Sequence, residues 1–215
     1  MVNKTRAKLF LVLAIGLLTL FFLLVVSWSL GAVDIAFSDT LGYVWNIIVN
    51  FGPMPAHAGE QIIWSRMVRS VAVIGVGIGL SVSGVVMQAL IRNPLVDPYV
   101  TGISSGAALG ATLSLLAGVS LVQVAEYTTP LAAFIGALIT FFITMALAEA
   151  SGGRPVSYIL SGIIIGIAIS SFTTILIVFS EDNRLHGAMF WLFGSFAYMS
   201  WTKALLIIIP VLILC

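Results

Sequence analysis

Nine Lys or Arg and eight Asp or Glu are the only fully charged side chains among 215 residues, and their placement leaves long uncharged intervals. Those from Lys8 to Asp34, Arg69 to Arg92, Asp97 to Glu126, Glu126 to Glu149 and Arg154 to Glu181 each enclose more than 20 residues. Crossing ~30 Å of hydrocarbon takes about 20 apolar residues at about 1.5 Å of helical rise each, so all five intervals are long enough. In lipid a backbone must satisfy its own hydrogen bonds, which makes each interval a helix rather than a lone strand. The alternating segments of a membrane barrel do not occur. Hydrophobic residues make up 60% of the chain and charged residues 8%, too few charges to cover a soluble domain of this size. The expected fold is therefore all-α: a polytopic transmembrane helical bundle.

The spans fall at roughly 9–33, 70–91, 99–119, 130–148 and 157–179, with a partial one at 204–215, in a single transmembrane domain over 1–215. The first is preceded by Lys4, Arg6 and Lys8, as a signal peptide would be. Its apolar run is longer than the ~7–15 residues of a signal core and no small-x-small cleavage site follows convincingly, so it reads as an uncleaved helix. Basic residues abutting the first helix favour a cytoplasmic N-terminus, with Arg92 and Arg154 also inside and Arg66, Arg69, Arg184 and Lys203 outside. Residues 187–201 are crowded with aromatics (Phe190, Trp191, Phe193, Phe196, Tyr198, Trp201), a composition suited to the headgroup level of the outer surface. The sixth span, from near Ala204, reaches Cys215 too soon to cross, so the sequence is expected to stop inside a helix and to be incomplete at its C-terminus.

Small residues recur at four-residue spacing: Gly75, Gly79 and Ser83; Gly102, Gly106 and Gly110; Gly162, Gly166 and Ser170. In lipid, close approach through such faces supplies much of the packing between helices. The middle of each span has no Asp, Glu, Lys, Arg or His, which argues against a proton relay and against an intramembrane metalloprotease. The two histidines, His57 and His186, fall in predicted outer loops, and a lone Cys215 allows neither an internal disulfide nor a cysteine metal site. Neither a metal site nor a cofactor is expected. Ser104 and Ser105 have no neighbouring base in the sequence to make either a nucleophile. No phosphate-binding G-x-x-x-x-G-K-S/T run occurs, so any nucleotide hydrolysis belongs to another chain. No catalytic residue is assigned. A net charge of +1 points to no nucleic-acid partner.

The most informative stretch is QALIRNPLVDPYVTGISSGAALG at residues 88–110. Pro94 and Pro98 end one helix and permit the next. Arg92, Asn93 and Asp97 form a compact polar corner at the cytoplasmic face, and the Gly102, Gly106, Gly110 stripe follows. An ordinary turn between two helices would account for the spacing equally well.

In residue identity this stretch closely resembles the signature of the permease subunits of ATP-driven importers for iron–siderophore, haem and cobalamin, the FecCD family. Gln88, Arg92, Asn93, Pro94, Leu95, Asp97, Pro98, Gly102, Ser104, Ser105 and Gly106 match it, while Val96 replaces the usual Ala and Thr101 the usual Leu. Arg66-Met-Val-Arg69 is similar to the family's R-x-x-R, and Ser161-Gly162 and Trp191-Leu-Phe-Gly-Ser195 resemble later patches.

The resemblance implies a ten-helix permease of the ABC importer type, of which about six helices are present here. It works as a homodimer in the cytoplasmic membrane, with two ATPase subunits docked inside and an extracytoplasmic substrate-binding protein outside. Cargo crosses by alternating access at the dimer interface. Arg66 and Arg69 correspond to residues that receive acidic side chains of the binding protein, against the plainer reading of anchoring to lipid phosphate or solvation in a loop. Asn93 and Leu95 correspond to the cytoplasmic gate, although turn chemistry before Pro94 explains Asn93 as well. The turn around Arg154, Pro155 and Val156 lies in a second gate region. The alternative is a truncated fragment, or a structural membrane protein, that transports nothing by itself. No residue has chemistry selective for one chelate.

Overall fold

A computed structural model of the protein describes residues 2–50, 55–94, 96–118, 125–180 and 182–214. Leu95 and Cys215, both singled out above, lie outside the described residues. The described residues form eight α-helices and one 3-10 turn: α1 (Val2–Ser29), α2 (Phe37–Val49), α3 (Ala58–Ile91), the turn (Pro98–Thr101), α4 (Ile103–Leu116), α5 (Ala125–Ala150), α6 (Pro155–Val178), α7 (Asp182–Phe193) and α8 (Trp201–Leu214). Four stretches are long and apolar enough to cross a membrane: Arg6–Ser29, Ala58–Ile91, Glu126–Ala150 and Pro155–Val178. The outward faces of these helices are densely apolar, with Leu9, Phe10, Phe22, Val85, Phe142 and Ile164 among many exposed large side chains. That is the expected surface of a chain solvated by lipid, and the protein is a multi-pass membrane protein.

Three elements depart from the charge-gap reading. The third interval is divided between the 3-10 turn and α4, whose 14 residues rise about 21 Å. Gly102, at φ 73°, separates the two. The 34 residues of α3 begin at Ala58, so Arg66 and Arg69 stand within the helix rather than before it. Between α1 and α3 lies α2, a 13-residue helix too short to make a charge gap.

The chain divides into two compact units, residues 1–77 with 196–215, and residues 78–195. In the first, Val68 and Ala72 of α3 bury against Ala204 of α8, with Trp64, Phe196, Met199, Trp201 and Ile207 packed around them. Trp64 and Trp201 meet edge to face at 5.4 Å between ring centres, a geometry that aromatic quadrupoles favour. Ala72 and Ala204 are small enough to bring the two helices close, as membrane packing requires.

In the second unit the crossings are made by main chain. Gly106 of α4 lies against Gly136 of α5, where a Cβ on Gly106 would stand 2.6 Å from the Gly136 carbonyl oxygen and the same from Thr140 Cβ. At this crossing a methyl group is already too large. The buried hydroxyl of Thr144 donates to the Thr101 carbonyl at 3.2 Å, joining α5 to the 3-10 turn. The hairpin between α5 and α6 closes with Gly153 N donating to Ala148 O at 3.0 Å and Gly152 N to Glu149 O at 3.0 Å. Both glycines have positive φ, the conformation in which this helix ending is made. Ser157 Oγ donates to Ser151 O at 3.1 Å, and Tyr158 Oη donates to the Glu149 carboxylate across the hairpin.

Candidate functional site

Residues 88–94 and 96–110 fold as a helix end, a capped turn and a helix start. Ile91 ends α3, and Arg92, exposed, adopts φ 53°, which turns the chain out of the helix. Asn93 N donates to Gln88 O at 3.2 Å and Val96 N to Asn93 O at 3.3 Å, closing the polar corner. Asp97 caps the 3-10 turn: its Oδ1 accepts from Tyr99 N at 2.8 Å and Val100 N at 3.1 Å. Pro98 occupies the first position of that turn, where a missing N–H is harmless. The sequence pattern D-P followed by Gly102 is thus a capped turn with a left-handed exit, a local structural role for three motif residues.

The motif's other role is packing. The Gly102 position abuts the α6 backbone, since a Cβ there would lie 2.9 Å from the Gly162 carbonyl oxygen and 3.1 Å from Gly166 N. A Cβ on Gly162 would in turn overlap the Val100 carbonyl. Two stripes noted in the sequence, Gly102–Gly106 and Gly162–Gly166, are therefore contact faces, one pairing with the other and with α5.

Beside this contact runs a groove of about 450 Å³ lined by Tyr99, Ser105, Gly166, Ser170, Ser171 and Thr174 among others. Ser170 Oγ donates to Ser105 Oγ at 3.1 Å, while the exposed Thr174 hydroxyl returns to Ser170 O at 2.9 Å. Ser105 is half-buried and Ser104 exposed. The groove offers hydroxyls in the interior of α6, within a span that has no ionisable group at its middle. Sequence reasoning singled out Ser105 and Ser170 but missed Ser171, Thr174 and Tyr99. The signal for Thr174 was available, because Gly162, Gly166, Ser170 and Thr174 continue one four-residue spacing.

Arg66 and Arg69 share a cleft of about 600 Å³ in the first unit, walled by Leu20, Leu23, Leu24, Val73 and Ile74. Their environments differ. Arg66 Nη1 donates to Trp28 O at 2.6 Å and Ser29 O at 3.1 Å, and Nη2 donates to Val33 O at 2.6 Å. The guanidinium thus satisfies the Trp28 and Ser29 carbonyls that the end of α1 leaves without helical partners, and the Val33 carbonyl in the segment after it. Gly31 makes room for it, since a Cβ there would stand 2.6 Å from Nη2. Trp28 Nε1 adds a bond to Ser70 Oγ at 2.9 Å, one turn further along α3. Arg69 is exposed and forms no hydrogen bond or ion pair among the described residues.

His57 precedes α3 and is exposed, and His186 stands in α7, also exposed. Among the described residues no three of His, Cys, Asp and Glu come together as ligands for a metal ion.

A model of the FecCD transport family matches residues 17–215. The vitamin B12 import system permease protein BtuC of Salmonella paratyphi A is 39% identical over 161 residues, covering 72% of this chain and 48% of that protein. The proteins of the same description from Shigella boydii and Serratia proteamaculans are 35% identical over 171 residues and 33% over 185, covering 51% and 54% of their own lengths and 77% and 85% of this chain. A solved inward-facing structure, described as a transporter of the metal-chelate ABC type, is 29% identical with a TM-score of 0.72, over 92% of this chain and 57% of that one. The chain spans about half the length of the curated relatives it matches.

Proposed function

The chain belongs to the FecCD transport family, and on that premise we propose that it forms membrane-spanning structure of an ATP-driven importer for a metal chelate, either cobalamin, haem or an iron–siderophore. In this reading the N-terminus is cytoplasmic, a second copy completes a homodimer, separate ATPase subunits hydrolyse ATP inside, and an extracytoplasmic binding protein delivers the cargo. The chain itself supplies no chemistry. It supplies a path that opens alternately to either side.

The observation that carries the reading is the family match along 17–215, supported by 33–39% identity to permeases named for vitamin B12 import. The geometry is consistent in kind. A large polar chelate needs hydrogen-bonding surface without a fixed charge that would hold it, and the groove of Ser105, Ser170, Ser171 and Thr174 is such a surface. Asn93 and Leu95, which precede Asp97 in the motif, act as the cytoplasmic gate, with the turn around Arg154 as a second closure. Arg66 and Arg69 form the docking site for acidic side chains of the binding protein. The uncommitted guanidinium of Arg69 makes the ionic contact, and Arg66 holds the end of α1 beside it.

The test is reconstitution. The chain is co-expressed with the ATPase subunits and the binding protein of its own organism and placed in proteoliposomes, and ATP hydrolysis is followed with cobalamin, haem and ferric siderophores in turn. Co-purification of the ATPase and stimulation by one class of chelate are expected. An ATPase that neither associates nor responds to any of them would sink the proposal.

A further inference from the structure

α2 presents three different faces. Thr40 and Ile47 point inward and are buried, with Tyr43 half-buried beside them. Asp39 and Asn46 form a polar side with Gly42 beside them, and the exposed Val49 closes its C-terminal end. The third face is Phe37, Leu41 and Ile48, all exposed, with Trp45 at the border of the polar side and 68% exposed. At helical spacing these four lie on one side, and none carries charge.

The helix is tied at both ends to spanning helices. Near its start, Ile35 N donates to Ser29 O at 3.0 Å and Ser29 Oγ to Ile35 O at 2.6 Å, turning the chain back where α1 stops. Near its end, Asn46 Nδ2 donates to Glu60 Oε1 at 3.1 Å, and Tyr43 lies against Gly59, where a Cβ would meet its ring at 2.8 Å. Thirteen residues rise about 20 Å, too little to cross, so α2 stays at the membrane depth where α1 ends and α3 begins. Exposed apolar side chains continue from α1 through Leu30 and Val33 to Phe37, with the exposed Asp34 between the last two.

We infer that α2 lies in the plane of the bilayer surface as an interfacial anchor, with Phe37, Leu41 and Ile48 immersed in the leaflet where α1 ends and Trp45 at headgroup level. The occupant of the exposed face is lipid, because that face continues the lipid-facing surface of α1 and has no group for recognising a charged protein partner. From Gly31 to Ser65 the chain contains no Lys or Arg. Binding therefore draws on apolar burial and not on anionic headgroups, which separates this helix from basic amphipathic anchors.

The test uses the full chain with Cys215→Ser in vesicles of phosphatidylcholine, with and without phosphatidylglycerol. Single cysteines at exposed positions, Leu41→Cys and Ile48→Cys against Gly42→Cys and Asn46→Cys, are spin-labelled. Their collisions with oxygen and with a water-soluble nickel chelate are then compared. A ratio of oxygen to nickel collisions several-fold higher at 41 and 48 than at 42 and 46, unchanged by lipid charge, is expected. Equal ratios at all four positions would overturn the anchor. So would shielding of 41 and 48 from both reagents, or shielding that appears only on adding the binding protein, since protein and not lipid would then cover the face. As a second measurement, the emission lost on Trp45→Phe should be quenched by lipid brominated near the headgroup. Insensitivity to that lipid would also overturn the proposal.

Discussion

Arg66 and Arg69 have the same chemistry and stand three positions apart, yet their variants should behave differently. Removing the Arg66 side chain takes the charged donor from the carbonyls of Trp28 and Val33 and leaves the Ser29 carbonyl with only Ile35 N, at about 1–3 kcal/mol for charged hydrogen bonds partly open to solvent. Arg66→Ala should lower the unfolding midpoint in detergent, and Gly31→Ala should do part of the same by pushing the guanidinium off its acceptors. Arg69→Glu breaks no internal bond and should keep stability within about 0.5 kcal/mol, while weakening capture of the binding protein at low salt. Equal destabilisation by Arg66→Ala and Arg69→Glu would contradict this division. The R-x-x-R spacing makes the pair visible in the sequence, but not this difference. The acceptors of Arg66 lie 33–38 positions away, at the end of another helix and in the segment just after it. A second test at this scale concerns Asn93. In a Cys215→Ser background, a cysteine at 93 should change its rate of maleimide labelling several-fold between nucleotide-free and ATP-bound transporter. Labelling blind to nucleotide would remove Asn93 from the gate.

Between elements, main-chain contact decides which glycines matter. Gly106→Ala drives a methyl into the Gly136 carbonyl and Thr140, and overpacking against a backbone should cost about 3 kcal/mol or more. Gly16 and Gly84 have no neighbouring atom within 4 Å of an added Cβ. Alanine there should be neutral, or stabilising by up to about 1 kcal/mol through helix propensity. Chemical unfolding of the four variants Gly16→Ala, Gly84→Ala, Gly106→Ala and Gly136→Ala should sort them into these two classes. The four-residue spacing of glycines was legible in the sequence; the partner of each stripe was not. Charge gaps located α1, α5 and α6 because those helices carry no charge through their middles. They could not register α2, whose amphipathic pattern leaves Asp39 inside a short helix, nor the early start of α3. A guanidinium is tolerated inside a helix when it reaches carbonyls or the membrane edge, so Arg66 and Arg69 masked the first turns of α3. The interruption at Gly102 was hidden as well, because glycine inside an apolar run reads equally as packing and as a break.

For the whole molecule, the order of helices and the basic residues beside α1 predict an alternating topology with the N-terminus inside. With Cys215 replaced, a cysteine at Asp34 should react with a membrane-impermeant maleimide on intact cells, whereas one at Gly153 should react only after permeabilisation. The opposite pattern would invert the orientation and move Arg69 to the ATPase side, removing its docking role. A different consequence follows from the crossing of Gly102 with Gly162 and Gly166. A clash between two side chains can be cured by shrinking either one, but a peptide carbonyl has nothing to shrink. Bulk introduced at Gly162 therefore has no compensating substitution across the contact. In a growth selection for restored uptake, Gly162→Ala should yield true revertants and no second-site suppressors at Val100, Thr101 or Gly102, so that this contact allows no mutational route around glycine.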